Sequence, residues 1–481
     1  MRFIELLLCL LLLLSLCMAT WRAMRGLPRF QKRLLPALIV FTLALHLVVE
    51  GPRWQLYPVY LLAAVFAWLT WAPYNAAPPS AGHRMRRMLS NGLGVVLVLL
   101  CLGVALALPV FRLPNPGGPY AIGTTVFSLE QTDRTDPYAP GDGAIRRFPV
   151  QVWYPAPEGR HPDRARWLPH AGAFVSAAAN AVDIPAASFI LRHLRHVKTH
   201  AYWDAPVAAD ATPFPVVLYS HGWTGWRTVA LDQIERLVSH GFVVIAPDHT
   251  YGALAAVFPD GEAVPKNAAA MPPEKPEEAR QAGIELLVDT YAADLRYLLD
   301  QLPALNQGAL ATPLAGTLAL DRVGIFGHST GAGAVTEVAA TDDRVTAALA
   351  LDPWVVPVSA DIMERAIPVP FMSIRSEGWV RWKGDNSDKL ARLLEQAAGP
   401  TWDMYIEHTG HHDFTLAPAM LPLARFFTDQ SERGEGVFQV TNDYLELYFI
   451  HFLGAEGKAW PHSLHPEMRS IDEFEAAGQS E

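Results

Sequence analysis

The most informative stretch of the chain is Val323-Gly324-Ile325-Phe326-Gly327-His328-Ser329-Thr330-Gly331-Ala332-Gly333. Its apolar first half predicts a β-strand, and its small residues after Ser329 predict the start of a helix. A Gly-x-Ser-x-Gly turn between a strand and a helix holds its serine on a strained backbone, with the hydroxyl exposed above the sheet. Gly327 and Gly331 leave the space that such a turn needs. The stretch therefore predicts a nucleophilic Ser329, and the alternative is an ordinary tight turn.

A nucleophilic serine needs a histidine as its base, and that histidine needs a carboxylate that fixes its tautomer. Three apolar runs of strand length follow Ser329, at 345–351, 367–374 and 402–406. The residues that follow these runs are, in order, Asp352, Glu377 and the segment His408-Thr409-Gly410-His411-His412-Asp413-Phe414. Serine, then acid, then histidine is the chain order of α/β-hydrolases. We therefore expect an α/β-hydrolase fold with a mostly parallel central sheet, with the choice of acid and of histidine open.

A second motif predicts where the negative charge of the reaction is stabilised. The apolar run 215–219 predicts a buried strand, and Ser220-His221-Gly222-Trp223-Thr224-Gly225 follows it. A His-Gly pair after an early strand is typical of the oxyanion loop of lipases and esterases, whose backbone N–H groups face the developing oxyanion. We predict the N–H groups of Trp223 and Thr330 as the two donors. The alternative is a simple glycine turn after a strand.

These motifs together resemble those of the plasma-type platelet-activating-factor acetylhydrolases, which are α/β-hydrolases that remove short or oxidised acyl chains from phospholipids. The resemblance extends from about residue 118 to about residue 453. The matching segments are 150–155, Ser220-His221-Gly222, 239–244, Gly327-His328-Ser329-Thr330-Gly331, Leu351-Asp352-Pro353-Trp354, Ser376-Glu377 and the pair His411 and Phe414. The ordered series is specific to the family, whereas any single segment is not.

The resemblance implies Ser329 as nucleophile, Asp352 as acid and His411 as base. It places the acid after the strand that neighbours the nucleophile strand, which is unusually early. Glu377 is the alternative acid, and His412 is the alternative base. Glu407, His408 and Asp413 offer metal-ligand atoms but lack the rigid spacing of a metal site, so we expect neither a metal nor another cofactor.

The N-terminal part of the chain has a different composition. Four apolar runs, at 4–20, 34–49, 57–71 and 93–111, are each close to the length that crosses a bilayer. They predict about four transmembrane helices in residues 1–112, ahead of a catalytic domain at 113–453 and a polar tail at 454–481. A cleaved signal peptide is the alternative for the first run, although no clear cleavage site follows it.

Charge predicts an orientation for these helices. Residues 1–112 contain 11 Lys and Arg and 2 Asp and Glu, which leaves 27 basic and 46 acidic residues and a net charge of −19 for the remainder. The basic residues cluster after the first and third apolar runs, and basic loops stay in the cytoplasm. The prediction is a multi-pass membrane protein whose catalytic domain lies outside the cytoplasm. An acidic domain of this kind is a poor partner for nucleic acid.

The predicted function is a membrane-anchored serine esterase that acts on short-chain or oxidised acyl groups of phospholipids through an acyl-enzyme intermediate. One alternative is a broader carboxylesterase, of the dienelactone-hydrolase or polyester-hydrolase type, acting on soluble esters. Another is a non-catalytic recognition protein with a hydrolase fold, which the complete set of Ser329, Asp352 and His411 argues against.

Overall fold

The structure is a computed structural model that describes residues 2–20, 29–71, 81–141, 143–159, 161–209, 213–271, 275–310, 312–382, 384–423, 426, 436–454 and 465–472. The chain divides into two compact units. The first consists of Met1–Phe111, Arg192–Val197 and Met420–Pro422. The second consists of Arg112–Leu191, Lys198–Ala419 and Leu423–Glu481, and it contains the predicted catalytic motifs.

The first unit is helical. Its helices are α1 (Phe3–Thr20), α2 (Arg29–Val49), α3 (Tyr57–Trp71) and α4 (Ala81–Ala107). They share an apolar core that includes Leu8, Leu12, Ile39, Val59 and Val98. Polar side chains are buried among them as well, since the Arg53 guanidinium lies 3.3 Å from the Glu5 carboxylate and both side chains are fully buried.

The predicted bundle of four transmembrane helices is wrong. In the described part of the chain only Met88–Ala107 is long and apolar enough to cross a membrane. The apolar stretches of the other three helices are shorter, with between 10 and 17 residues each: Phe3–Met18, Arg33–Val49 and Trp54–Leu69. At ~1.5 Å per residue these apolar stretches extend at most about 25 Å, which is shorter than the ~30 Å hydrocarbon layer. The linkers 21–28 and 72–80, on which part of the predicted orientation rests, lie outside the described residues.

The second unit is built on a large sheet. Its strands in the described residues are β1 (Ala121–Thr135), β2 (Ile145–Ala156), β3 (Arg164–Arg166), β4 (Lys198–Trp203), β5 (Phe214–Ser220), β6 (Val243–Pro247), β7 (Ala255–Val257), β8 (Ala263–Pro265), β9 (Leu318–His328), β10 (Val345–Leu351), β11 (Phe371–Ser376), β12 (Thr401–Ile406) and β13 (Met468–Ser470). Eleven of them form one sheet in the order β13-β12-β11-β10-β9-β5-β6-β2-β1-β4-β3, and β7 and β8 form a separate hairpin.

The centre of this sheet is parallel, as the sequence predicts for an α/β-hydrolase. Six neighbouring strands, from β12 through β11, β10, β9 and β5 to β6, run in one direction. β2 joins β6 in the antiparallel sense. Strand β13 falls within the predicted polar tail and pairs with β12, while residues 455–464 and 473–481 lie outside the described residues.

Helices cover both faces of the sheet. After α4 the described chain forms α5 (Ala171–Ala181), α6 (Ala186–Ile190), α7 (Leu231–Ser239), α8 (Glu277–Asn306), α9 (Thr330–Thr341), α10 (Ala360–Met363), α11 (Glu377–Arg381), α12 (Asp385–Glu395), α13 (Ala417–Met420) and α14 (Gly436–Leu453). Side chains of a strand alternate between faces. Accordingly Ile325 of β9 joins the core formed with α8 and α9, whereas its neighbour Phe326 lies 6.2 Å, ring to ring, from Phe449 of α14.

This topology brings the predicted catalytic segments together. β9 lies in the middle of the parallel strands, with β5 on one side and β10 on the other. The carboxyl ends of parallel strands meet at one edge of a sheet, where ligands of α/β folds bind. Ser220, Ser329 and Asp352 stand at that edge, immediately at or after the ends of β5, β9 and β10.

Candidate active site

Ser329 lies on the sharp turn that the sequence predicts. It separates the last residue of β9 from the first residue of α9, with φ 57° and ψ −120°. A positive φ is costly for a residue with a side chain, so the surrounding contacts have to hold it. The Ser329 N–H donates to the carbonyl of Leu351 at 3.0 Å, and the Ser329 carbonyl accepts from the N–H of Trp354 at 3.2 Å.

Close packing explains the two glycines of the motif. A Cβ at Gly327 would lie 2.7 Å from the Gly331 backbone, and a Cβ at Gly331 would lie 2.2 Å from the carbonyl oxygen of Ser220. Neither backbone can move away without disturbing the turn. The half-buried Ser329 side chain is therefore presented at the sheet edge, next to the oxyanion loop.

Asp352 and His411 form a hydrogen-bonded pair beside this turn. The Nδ1–H of His411 donates to Oδ2 of Asp352 at 2.9 Å, which leaves Nε2 unprotonated and able to accept a proton. Asp352 is fully buried and also accepts hydrogen bonds from the Ser376 N–H at 2.6 Å and the Ser376 hydroxyl at 2.7 Å. These neutral donors satisfy the carboxylate and fix its orientation without cancelling its charge.

Two neighbours hold His411 in place. The Nε2–H of His328 donates to the main-chain carbonyl of His411 at 2.9 Å. Burial, together with the charges of His411 and His412, holds the pKa of His328 well below its usual value, so His328 stays neutral. On another side, the Trp379 ring stacks on the His411 imidazole with centroids 4.4 Å apart and an angle of 14°. A stacked indole stabilises an imidazolium through a cation–π interaction.

The Ser329 hydroxyl itself makes no hydrogen bond within the described part of the chain. Catalytic hydrogen bonds of free enzymes often tighten only around the substrate. Ser329 nevertheless lies close to Asp352 and His411, because its neighbour His328 has its ring centroid 4.5 Å from that of His411, and the Ser329 N–H donates to the residue that precedes Asp352.

The alternative residues have other surroundings. Glu377 accepts the His408 N–H at 2.5 Å and pairs with Arg381. Burial raises the pKa of Glu377, but these two donors outweigh it and lower the pKa overall. The His412 side chain is exposed, and its ring centroid lies 5.6 Å from that of His411. The geometry therefore favours Asp352 and His411 for the two roles.

The predicted oxyanion loop packs directly against Ser329. A Cβ at Gly222 would lie 3.0 Å from the Cβ of Ser329. Within the described residues, the N–H groups of Trp223 and Thr330 donate no hydrogen bond to the protein. Thr330 is the first residue of α9, and the first N–H groups of a helix have no partner inside it. Both N–H groups are thus available to an oxyanion.

One set of metal-ligand atoms coincides with this site. His328, Asp352 and His411 offer atoms within 4.8 Å of one another. His411 Nδ1 already donates to Asp352, and His328 Nε2 donates to a carbonyl. A nitrogen that carries a proton cannot bind a metal, so these two nitrogens are not available to an ion.

Sequence reasoning missed the residues that support the triad. The contacts that Ser376, Trp379 and His328 make with it were not predicted. Ser376 ends β11, so its position at the carboxyl edge of the sheet was a usable signal. The stacking of Trp379 depends on the short helix α11, for which the sequence has no comparable signal.

Comparison with known proteins places the chain in a family. The family model for platelet-activating factor acetylhydrolase, isoform II, matches residues 107–270 and 302–439, which is more than half of the chain. A platelet-activating factor acetylhydrolase of Cavia porcellus is 27% identical over 330 residues, covering 63% of this chain and 70% of that protein. A probable 1-alkyl-2-acetylglycerophosphocholine esterase of Arthroderma benhamiae is 24% identical over 342 residues, covering 68% and 82%.

Solved structures agree on the fold. A ferulic acid esterase from Streptomyces cinnamoneus superimposes with a TM-score of 0.59 at 24% identity, covering 76% of this chain and all of that one. At this identity the likeness concerns the fold alone. The family match begins at residue 107, so most of the N-terminal helical unit lies outside it. The chain belongs to the platelet-activating factor acetylhydrolase isoform II family, and it is an ester hydrolase.

Proposed function

We propose that this ester hydrolase is a serine esterase that works through an acyl-enzyme on Ser329. In this proposal His411 is the base, Asp352 holds and stabilises it, and the N–H groups of Trp223 and Thr330 bind the oxyanion. The observation that carries the proposal is the hydrogen bond of 2.9 Å between His411 Nδ1 and Asp352, formed beside a serine with φ 57°. That bond fixes the tautomer in which Nε2 accepts a proton.

The first half of the reaction forms the acyl-enzyme. The Ser329 oxygen attacks the ester carbonyl carbon while its proton moves to Nε2 of His411. The carbonyl oxygen becomes an oxyanion, which the two N–H groups stabilise. The tetrahedral intermediate then collapses, the bond to the alcohol oxygen breaks, and the His411 imidazolium returns its proton to the leaving alcohol. The Asp352 carboxylate and the Trp379 ring both favour the imidazolium during these steps.

The second half uses water in place of the serine. His411 takes a proton from a water molecule, the resulting hydroxide attacks the acyl carbon, and the bond to the Ser329 oxygen breaks. The proton returns from His411 to the serine oxygen. The products are the carboxylic acid and the free enzyme.

We propose phospholipids with a short or oxidised acyl chain as the substrate class. Support comes from the family and from the named activities of the two relatives. The site also offers apolar walls, because the tryptophans that adjoin it are only half-buried: Trp223, Trp354 and Trp379. Aromatic side chains of this kind bind apolar parts of a substrate through their rings.

A hydrolysis panel tests this proposal. The substrates are 1-alkyl-2-acetyl-glycerophosphocholine, a phosphatidylcholine with an oxidised chain, a phosphatidylcholine with two long chains, and p-nitrophenyl acetate. We expect kcat/KM for the first two to exceed that for the long-chain lipid by at least about tenfold, with no activity in the Ser329→Ala variant. Rapid cleavage of p-nitrophenyl acetate with no cleavage of any phospholipid would contradict the substrate class and favour a broader carboxylesterase.

A further inference from the structure

A second chain of serine, histidine and aspartate lies beneath the oxyanion loop. The Ser220 hydroxyl donates to Nε2 of His249 at 2.9 Å, and the Nδ1–H of His249 donates to Oδ2 of Asp294 at 2.9 Å. The hydrogen-bond order is that of a catalytic triad. All three side chains are completely buried, so no substrate reaches the Ser220 oxygen.

A buried arginine anchors this chain to the rest of the domain. Arg146 forms two hydrogen bonds with the Asp294 carboxylate, at 3.0 and 2.5 Å, and a third with Asp136 at 2.8 Å. Arg134 adds a contact to Asp294 at 2.8 Å. Burial alone would raise the pKa of Asp294, but the charge of Arg146 and the hydrogen bonds from His249 and Arg146 hold it well below its usual value. A buried carboxylate with two guanidinium partners is rigidly held.

The chain continues into the oxyanion loop through His221. The main-chain N–H of His249 donates to Nε2 of His221 at 3.0 Å, which leaves the proton of His221 on Nδ1. That Nδ1–H donates to the Gly222 carbonyl at 2.7 Å. The N–H of Gly225 donates to the same carbonyl oxygen at 2.8 Å. Burial holds the pKa of His221 well below its usual value, and the nearby His249 lowers it further, so this neutral tautomer persists.

The Gly222 carbonyl determines where the Trp223 N–H points. Both groups belong to one planar trans peptide, in which the C=O and the N–H point in opposite directions. Two donors hold the carbonyl on one side, so the Trp223 N–H is turned to the other side. Gly222 itself packs against the Ser329 Cβ.

We propose that His221 is a positioning residue for the oxyanion hole, and that the buried Ser220–His249–Asp294 chain keeps His221 in its working tautomer and orientation. The inference rests on the proposed function, because it concerns the donor that stabilises the Ser329 oxyanion. His221 touches no substrate. It acts by holding the Gly222–Trp223 peptide in the orientation that transition-state stabilisation needs.

The test compares His221→Ala with His221→Asn. An asparagine amide occupies the place of Nδ1 and can donate to the Gly222 carbonyl, whereas alanine cannot. We expect the alanine variant to lose about 10- to 100-fold in kcat with KM changed less than about threefold, because a misdirected donor affects the transition state more than substrate binding. On a logarithmic scale, kcat of the asparagine variant should lie at least about halfway from the alanine variant back to wild type. Asp294→Asn should lower kcat in the same selective way.

Loss of stability is separated from loss of positioning by a matched control. Val244→Ala removes a buried side chain of β6 that has no part in the network, and its melting temperature is compared with that of His221→Ala. The proposal is overturned if kcat of His221→Ala stays within threefold of wild type, or if Val244→Ala at equal melting temperature loses as much. If Ser329→Ala abolishes the hydrolysis seen in the wild type, the proposed function stands whether or not the proposal for His221 fails. Equal activity of Ser329→Ala and wild type would instead remove the proposed function itself.

Discussion

The two serine–histidine–aspartate sets of this domain join histidine to aspartate through the same atoms. Nδ1 of His411 and Nδ1 of His249 each donate to a buried aspartate at 2.9 Å. The two serines differ in access and in backbone. Ser220 is the fully buried last residue of a strand, whereas Ser329 is half-buried on a turn with positive φ.

The aspartates differ as well. Asp294 is neutralised by Arg146 and Arg134, while Asp352 accepts hydrogen bonds from the neutral Ser376 and from His411. A carboxylate without a cationic partner stabilises a new imidazolium more strongly than one already paired with arginine. The presence of serine, histidine and aspartate together is therefore not enough to make a serine nucleophilic in this domain. In the proposed mechanism, access, backbone strain and an uncancelled carboxylate make Ser329 the nucleophile, whereas the Ser220 set holds a loop.

Exchanging each serine for alanine should separate the two sets most widely. We expect Ser329→Ala to lose on the order of 10⁴-fold or more in kcat and all labelling by a fluorophosphonate probe. Ser220→Ala should keep its labelling and lose less than about tenfold in kcat, because the loop loses one of several supports. Ester hydrolysis and gel-based labelling measure both. Normal labelling of Ser329→Ala would mean that another residue reacts with the probe, and it would contradict the distinction between the two serines.

The histidines give the next largest effect. His411→Ala should lower kcat on the order of 10³-fold, because the serine then has no base. The exposed His412 is the matched control, and His412→Ala should stay within about fivefold of wild type. Steady-state kinetics on one ester measure both variants. The reverse ranking would move the base to His412.

The acid should show a smaller but clear effect. Asp352→Asn removes the charge that stabilises the imidazolium, and we expect a loss in kcat of about 10²-fold or more, below that of His411→Ala. Glu377→Gln should cost no more than about threefold, since Glu377 pairs with Arg381 and the His408 N–H. Rates with the same ester decide between the two carboxylates. A severe loss in Glu377→Gln would transfer the role of acid to Glu377.

The smallest effect concerns stability rather than rate. Glu337 of α9 is buried, and burial, followed by the neighbouring Asp289 carboxylate, raises its pKa to about 8 from 4.5. Between these two pH values the unfolded chain loses this proton and the folded one keeps it, so the free energy of unfolding falls as pH rises. Glu337→Gln should flatten that fall. Urea unfolding from pH 5 to 8 measures it, with the exposed Glu278→Gln as control. An unchanged slope in Glu337→Gln would contradict the raised pKa.

Much of the site could be predicted because its signals are local. The Gly-x-Ser-x-Gly turn and the residues after β10 and β12 are each recognisable within about ten residues of sequence. The buried chain could not be predicted in this way. Arg146 and Asp294 are 148 residues apart, and only the folded domain brings them together. His249 follows a strand as His411 does, so the sequence alone does not distinguish a base from a support.

The N-terminal unit shows the limit of composition as a guide. Its apolar runs predicted helices, and four helices are found. These runs did not justify four membrane spans, because the apolar stretches of three helices are too short. Polar side chains such as Glu5 and Arg53 are also buried in this unit. The location of the catalytic domain outside the cytoplasm stays a prediction.

The central claim is that Ser329, and not the buried Ser220, is the nucleophile. Peptide mass spectrometry after reaction with a fluorophosphonate tests it most directly, because the adduct stays on the reacting serine. The account predicts a single adduct on the peptide that contains Ser329, formed in step with the loss of ester hydrolysis. An adduct on another serine, or complete loss of hydrolysis with Ser329 unmodified, would contradict it.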